Sequence, residues 1–347
     1  MKDIAVIIPV YNGECFLPAC IDSVQTAGKR VSEIIVVDDG STDGSLSTAW
    51  KLAENDSRIR VIHTDNHGSY MARRIGIQAA NSKYLAFIDV DDRYVHGSLD
   101  MLADLLEQNG SDIAMGGLVE TSQLDRTDTD YIRTRTPEIR VSATEDMWPR
   151  IMKWHTQEFL FYIWHKLYKK ELLDELPEMD GICQGDDVIL TCHAFLRAGT
   201  IVETAAPVYL YYQNPHGLTH TGFNQTDLDL ISVWDEIVRM TEHAKVNVQP
   251  DLHYLAQFNR WRVDFTLICR LILSDNKQLD TEYAADLKEW RADLNLHRRQ
   301  LLQPHALPRS RECLITGLCF AFKPTKWAMR TGRRLMRWKE GYRQIRS

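Results

Sequence analysis

At 347 residues the chain is long for one ordinary domain, which predicts one large domain with an appendage. Apolar residues make up 44% and charged residues 26%, the balance of a globular protein with a substantial core. The net charge of −7 argues against nucleic acid as a partner, because phosphate contacts need a basic face.

Seven cysteines, an odd number without a C-x-x-C pair, speak against a zinc site or a disulfide framework and fit a reducing compartment. The longest uncharged, largely apolar run, Cys313 to Phe322, is half of the about 20 residues a membrane-spanning helix needs. No charged and apolar leader precedes the first predicted strand, so export by a signal peptide is not expected and a cytoplasmic location is.

In chain order, Ile4 to Val10 is a continuous apolar run of strand length, as are Glu33 to Val37, Ile59 to His63 and Tyr84 to Ile88. Helical patterns lie between them at 14–26, 43–54 and 69–80, the second expected to open on Ser41-Thr42-Asp43 as cap chemistry. Unbroken β-branched strands separated by helices predict an α/β fold, with a mainly parallel sheet covered by helices on both faces. Ligands of such sheets bind beyond the carboxyl ends of the strands. From 110 to 215 the alternation becomes mixed and more aromatic. Helices follow over Thr226 to His243, Leu252 to Asp275 and Thr281 to Leu296.

The strand ends carry the chemistry. The first strand ends in Pro9-Val10-Tyr11-Asn12, the second in Asp38-Asp39-Gly40-Ser41, and the fourth in Asp89-Val90-Asp91-Asp92. Asp, Asn and Gly make turns and caps at any single loop. Five aspartates converging on one sheet edge repel each other unless something cationic joins them. No G-x-x-x-x-G-K-[ST] and no G-x-G-x-x-G after a strand is present, which excludes the common nucleotide signatures.

Ile7-Ile8-Pro9-Val10-Tyr11-Asn12, Val36 to Asp43, Asn66-His67-Gly68 with Ala72-Arg73 and Gly76, and Phe87 to Asp92 together resemble the serial motifs of family-two glycosyltransferases with a GT-A fold. The resemblance covers residues 1–215. It departs at Arg74, where that family usually has Asn. It implies an inverting transfer of a sugar from a nucleoside-diphosphate donor, a UDP-sugar by family weight, to a hydroxyl of a glycan, expected to be lipid-linked, in bacterial cell-surface polysaccharide assembly.

A diphosphate leaving group needs its charge offset, which a hard divalent cation held by carboxylates supplies. The resemblance therefore implies Mn²⁺ or Mg²⁺ at the Asp89-Val90-Asp91 pair. Asp91 is the implied direct ligand and Asp89 a ribose or sugar contact, with Asp92 an equal alternative to Asp91. By the same resemblance Tyr11 stacks on the base, Pro9 holds its turn, Asp39 accepts from the base edge, and Arg73 approaches phosphate or sugar. A surface salt bridge is the plainer reading of Arg73.

Gly185-Asp186-Asp187 opens an apolar helical run and resembles the family's Glu-Asp pair, with Asp186 in place of Glu. Asp187 would then remove the acceptor proton. Helix-start acidity explains the pair equally simply. As base, Asp187 needs its carboxyl raised by burial and neighbouring carboxylates. Trp164-His165-Lys166-Leu167-Tyr168-Lys169 also looks like a family segment, though core packing accounts for its aromatics. The loop from Gln213 to His220 is a candidate lid whose His216 could reach the metal or diphosphate.

From Arg309 to Ser347 eleven Lys and Arg face two Glu, a balance of +9, leaving −16 for the preceding 308 residues. On a helix over Trp327 to Ile345, Trp327, Thr331, Leu335, Trp338, Tyr342 and Ile345 share a face flanked by Lys326, Arg330, Arg333 and Arg337. That pattern fits a helix lying on an anionic membrane, at the inner face of the cell membrane, or docked on the protein's own acidic body. The organisation expected is a catalytic domain at 1–222 and a helical extension at 223–347. The alternatives are a non-catalytic GT-A-like scaffold and a sugar-phosphate nucleotidyltransferase, the latter lacking its Gly-rich phosphate loop.

Overall fold

A computed structural model of the chain describes residues 3–122, 138–152, 160–214, 223–242, 244, 251–303 and 307–344, with side chains in the last helix as far as Leu335. It divides into two compact units, Met1–Gly217 with Ala244–Gln249 and Leu218–His243 with Pro250–Ser347.

In the first unit, β1 (Ile4–Val10), α1 (Leu17–Ala27), β2 (Val31–Asp39), α2 (Ser45–Asn55), β3 (Ile59–Thr64), α3 (Ser69–Ala79) and β4 (Tyr84–Phe87) alternate as the sequence predicts. Then come β5 (Arg93–Tyr94), α4 (Ser98–Gln108), β6 (Ile113–Thr121), β7 (Ile139–Ala143), α5 (Thr144–Ile151), β8 (Lys166–Lys169), α6 (Asp186–Arg197) and β9 (Thr200–Tyr212). The strands form one sheet in the order β3-β2-β1-β4-β8-β6-β9-β5, with β7 on β9. Its β3-β2-β1-β4 half is parallel throughout, and β8 runs antiparallel between β4 and β6.

Ile4 to Ile8 and Ile34 to Val37 are wholly buried, which is why these strands read as unbroken apolar runs. Helix α3 lies so close on β1 that a Cβ at Gly76 would stand 2.5 Å from Ile7 Cγ2. Because Val10 pairs with Asp38 and Ile7 with Phe87, β1, β2 and β4 end along one edge. Helix α2 departs from expectation: it begins at Ser45 after a Gly44 cap, because Ser41, Thr42 and Asp43 are bound to the loop after β1.

The second unit is helical. After a 3-10 turn at Gln225–Leu228 come α7 (Asp229–Thr241), α8 (Leu252–Ser274), α9 (Lys277–Glu282), α10 (Ala284–Leu296), α11 (Arg298–Leu301), α12 (Arg309–Phe320) and α13 (Phe322–Gln344). Leu230, Trp234, Ile237, Leu267, Ile268 and Leu271 line its core. The predicted tail helix is present, but its basic flank turns inward. Lys326 Nζ lies 2.9 Å from Asp280, Arg330 pairs with Asp280 at 2.7 Å, and Arg333 donates to the Leu273 carbonyl. Those groups cluster where α8 ends, since its last carbonyls and Asp275 attract cations. Trp327 and Leu335 remain 70% and 56% exposed. The side chains of Arg337, Trp338, Tyr342 and Ile345 lie outside the described residues. Among the described residues no helix is long and apolar enough to cross a membrane.

Candidate active site

The loops after β1 and β2 are tied together by Asn12. Its backbone adopts a left-handed conformation (φ 52°), which Asn tolerates better than most residues. Its Oδ1 accepts from the Thr42 amide at 2.8 Å, while its own amide donates to Ser41 Oγ at 3.0 Å. Tyr11, one residue earlier, is 52% exposed at the sheet edge, and Pro9 sits in β1 opposite Val37.

Asp39 is buried, and each carboxylate oxygen accepts one backbone N–H: His67 on Oδ1 and Gly68 on Oδ2, both at 2.9 Å. A carboxylate has about four acceptor positions, so each oxygen keeps one free. Gly68 is held at φ 88° with the Ile182 carbonyl 2.5 Å from where a Cβ would stand, so only glycine fits. The Tyr70 amide donates to the Ile182 carbonyl and the Gly181 amide to that of His67, bracing the loop before α3 against the segment leading into α6. Arg74, the departure from the family pattern, pairs with Glu178 at 3.1 Å on the surface.

At the end of β4, the three aspartates have different surroundings. Asp92 is 1% exposed, with Oδ2 accepting from the Tyr209 hydroxyl at 2.8 Å and Oδ1 from the Tyr212 amide at 2.7 Å. Burial, then the charges of Asp89 and Asp91, hold its carboxyl well above the ordinary range. Asp91 is half-buried, accepts from Asn214 Nδ2 at 3.1 Å, and is raised by burial and by Asp89. Crowded carboxylates with few donors suit a hard cation. Among the described residues no group of three or more His, Cys, Asp or Glu is arranged to hold a metal. His216 lies outside the described residues.

Arg73 joins this edge to α6. Its guanidinium is 4% exposed, with Nη2 2.6 Å from Asp89 Oδ1 and 3.6 Å from Asp187 Oδ1, and Nη1 paired with Asp186. It is not the surface salt bridge considered above. Asp187 lies at the first turn of α6, one-fifth exposed, and is lifted to about 6. Burial is the main cause, Asp89 adds to it, and Arg73, the Ile163 amide and Lys166 oppose it. A carboxylate so placed can take a proton near neutral pH.

Several contributors were not singled out from the sequence. Asp38 is fully buried with His63 Nδ1 2.7 Å from Oδ2. Trp164 stacks on Tyr162 (centroids 4.6 Å apart) and Tyr209 (4.8 Å), walling the site between β8 and β9. In the sequence Trp164 is only part of a segment whose aromatics core packing explains, and nothing there pairs Tyr209 with Asp92.

Comparisons with known proteins identify the family and the fold. The model of glycosyl transferase family 2 matches residues 5–184. The uncharacterized glycosyltransferase EpsJ of Bacillus subtilis is 34% identical over 218 residues, 62% of this chain and 62% of that protein. This chain thus spans less than two thirds of EpsJ. Glycosyltransferase GlyG of Streptococcus pneumoniae is 28% identical over 226 residues, 64% of this chain and 74% of that one. Among solved structures, S. aureus TarS in complex with UDP-GlcNAc superposes with a TM-score of 0.59 at 17% identity, over 99% of this chain and 92% of that one. The mannosyltransferase PcManGT of Pyrobaculum calidifontis, in complex with GDP-Man and Mn²⁺, gives 0.52 at 14% identity, over 95% and 84%. These likenesses show the GT-A-type architecture, a mixed α/β sheet with flanking helices. With the family match covering more than half of its length and all its strand-end motifs, the chain belongs to glycosyl transferase family 2.

Proposed function

We propose that this protein transfers a sugar from a nucleoside-diphosphate donor, a UDP-sugar first among the candidates, to a hydroxyl of a glycan acceptor with inversion at the anomeric carbon. The observation that carries the reading is the juxtaposition, through Arg73, of Asp89 with Asp187, whose carboxyl is lifted to about 6. Donor-side and acceptor-side carboxylates thereby share one cleft edge.

In this reading Tyr11 stacks on the base, Pro9 shapes its strand end, and the free acceptor position of Asp39 faces the base edge. Asp91 would hold Mn²⁺ or Mg²⁺, which when bound offsets charge on the diphosphate, and Asp89, paired with Arg73, would contact the ribose or sugar. The buried bonds of Asp92 to Tyr209 and Tyr212 favour Asp91 over Asp92 as the ligand. Asp187 takes the acceptor proton while the hydroxyl oxygen attacks the face opposite the diphosphate, so a single displacement inverts the centre. Arg73 and Asp186 hold Asp187 in place, and His216 is assigned to the metal or diphosphate.

We assign this chemistry to residues 1–222 and membrane docking to 223–347, at the cytoplasmic face of the cell membrane, with a lipid-linked glycan of surface-polysaccharide assembly as acceptor. Exposed Phe320, Trp327 and Leu335 support the docking. Incubation with a panel of nucleotide sugars tests the transferase reading. Release of nucleoside diphosphate supports it, release of pyrophosphate points to a nucleotidyltransferase, and no turnover of any donor points to a scaffold.

A further inference from the structure

Lys166 is wholly buried in β8, an unusual place for an ammonium group. Its Nζ donates to the Tyr162 carbonyl at 2.6 Å and to His165 Nε2 at 2.9 Å. His165 can accept there because its Nδ1 donates to the Gly116 carbonyl at 2.8 Å. The Tyr162 carbonyl belongs to the same peptide group as the Ile163 N–H, and that N–H donates to Asp187. A peptide group is planar, with its C=O and N–H pointing in opposite directions. Fixing the carbonyl end therefore aims the amide end. The Tyr168 hydroxyl holds the next carbonyl, that of Ile163, at 3.1 Å.

We propose that Lys166 is a positioning residue for proton removal: it grips the Tyr162–Ile163 peptide at its carbonyl and so points the amide at Asp187. The inference rests on the reading of Asp187 as the base. Lys166 also acts by charge. Burial lowers its ammonium to about 7, with Asp187 and Glu203 as the carboxylates that oppose the shift. Below that pH it is charged and favours the ionised form of Asp187, alongside Arg73 and against Asp89. A donated bond from an ammonium further polarises the peptide and strengthens its N–H as a donor.

The test uses the full chain with Lys166→Met and Lys166→Gln, reading transfer rate against pH and donor affinity by calorimetry. Lys166→Met should lower kcat by about tenfold or more, as expected for a base displaced from its aim, with donor affinity unchanged. Lys166→Gln restores a neutral donor for the Tyr162 carbonyl and should recover most of kcat. In both variants the acid limb of the profile should move to higher pH. Wild-type kcat and an unmoved limb in both would overturn the proposal, and so would loss of donor affinity in parallel with rate. Asp187→Asn, measured alongside, separates the two ideas. If it keeps the wild-type rate, the base reading falls and takes this one with it. If it collapses while both Lys166 variants behave as wild type, only the role of Lys166 falls.

Discussion

Arg73 Nη2 stands 2.6 Å from Asp89 Oδ1 and 3.6 Å from Asp187 Oδ1, while Nη1 of the same guanidinium pairs with Asp186. One buried cation thus holds three carboxylates that come from two separate elements, the end of β4 and the start of α6. Removing it would leave those charges in a poorly solvated site.

Arg73→Met should accordingly destabilise the protein by about 3–5 kcal/mol, the range for breaking a buried pair from one side. Arg73→Lys should fall between, since a point charge cannot span the fork that a guanidinium fills. Thermal or urea unfolding measures both. A melt of Arg73→Met indistinguishable from wild type would show that the carboxylates do not need it.

Asp91 and Asp92 are adjacent but should fail differently. Asp92→Ala strands the Tyr209 hydroxyl and the Tyr212 amide, at a cost of about 1–3 kcal/mol for each buried group left unpaired. Asp91→Asn should leave the melt unchanged and abolish Mn²⁺ binding in the presence of nucleoside diphosphate, read by electron paramagnetic resonance. The reverse pattern would make Asp92 the ligand.

The role proposed for Asp187 predicts a pH dependence. Its carboxyl, lifted to about 6, must be ionised to accept a proton. The transfer rate should therefore rise with pH through about 6 and level off above it, as the ionised fraction saturates. A profile flat down to pH 4, where an unshifted aspartate titrates, would contradict this.

Most of the parallel half of the sheet was legible because Ile4–Ile8 and Ile34–Val37 are buried on both faces, and apolar continuity records that directly. The edge was legible too, since strand ends must carry their polar residues in the following loops. What the sequence withheld are partnerships across distance. Asp92 and Tyr209 are 117 residues apart, and Asp39 reaches the amide of Gly68 on the next loop. Helix α2 started late because the side chain of Asn12, 30 residues before Thr42, accepts from the amides of Thr42 and Asp43 and ties that segment to the loop after β1. The tail's amphipathic pattern was read correctly as a helix. Its basic face answers to Asp275 and Asp280, charges that periodicity does not register.

That tail gives a further prediction. With Lys326, Arg330 and Arg333 engaged inside the second unit, these three are withheld from anionic lipid, while exposed Trp327 and Leu335 offer apolar side chains for insertion. Co-sedimentation with anionic vesicles should weaken on Trp327→Ala and disappear on truncation at Pro324. Equal sedimentation of the truncated protein would refute the tail as an anchor.

Asp187→Asn measures the central claim most directly, because it keeps the size of the side chain and removes its ability to accept a proton. Donor affinity by calorimetry should stay near wild type, since Asp187 is assigned to the acceptor. The transfer rate should fall by about 10²–10⁴-fold, the usual contribution of a general base. The residual product should keep the inverted anomeric configuration. An Asp187→Asn enzyme that transfers at the wild-type rate, or a wild-type product that retains the donor's configuration, would contradict the account.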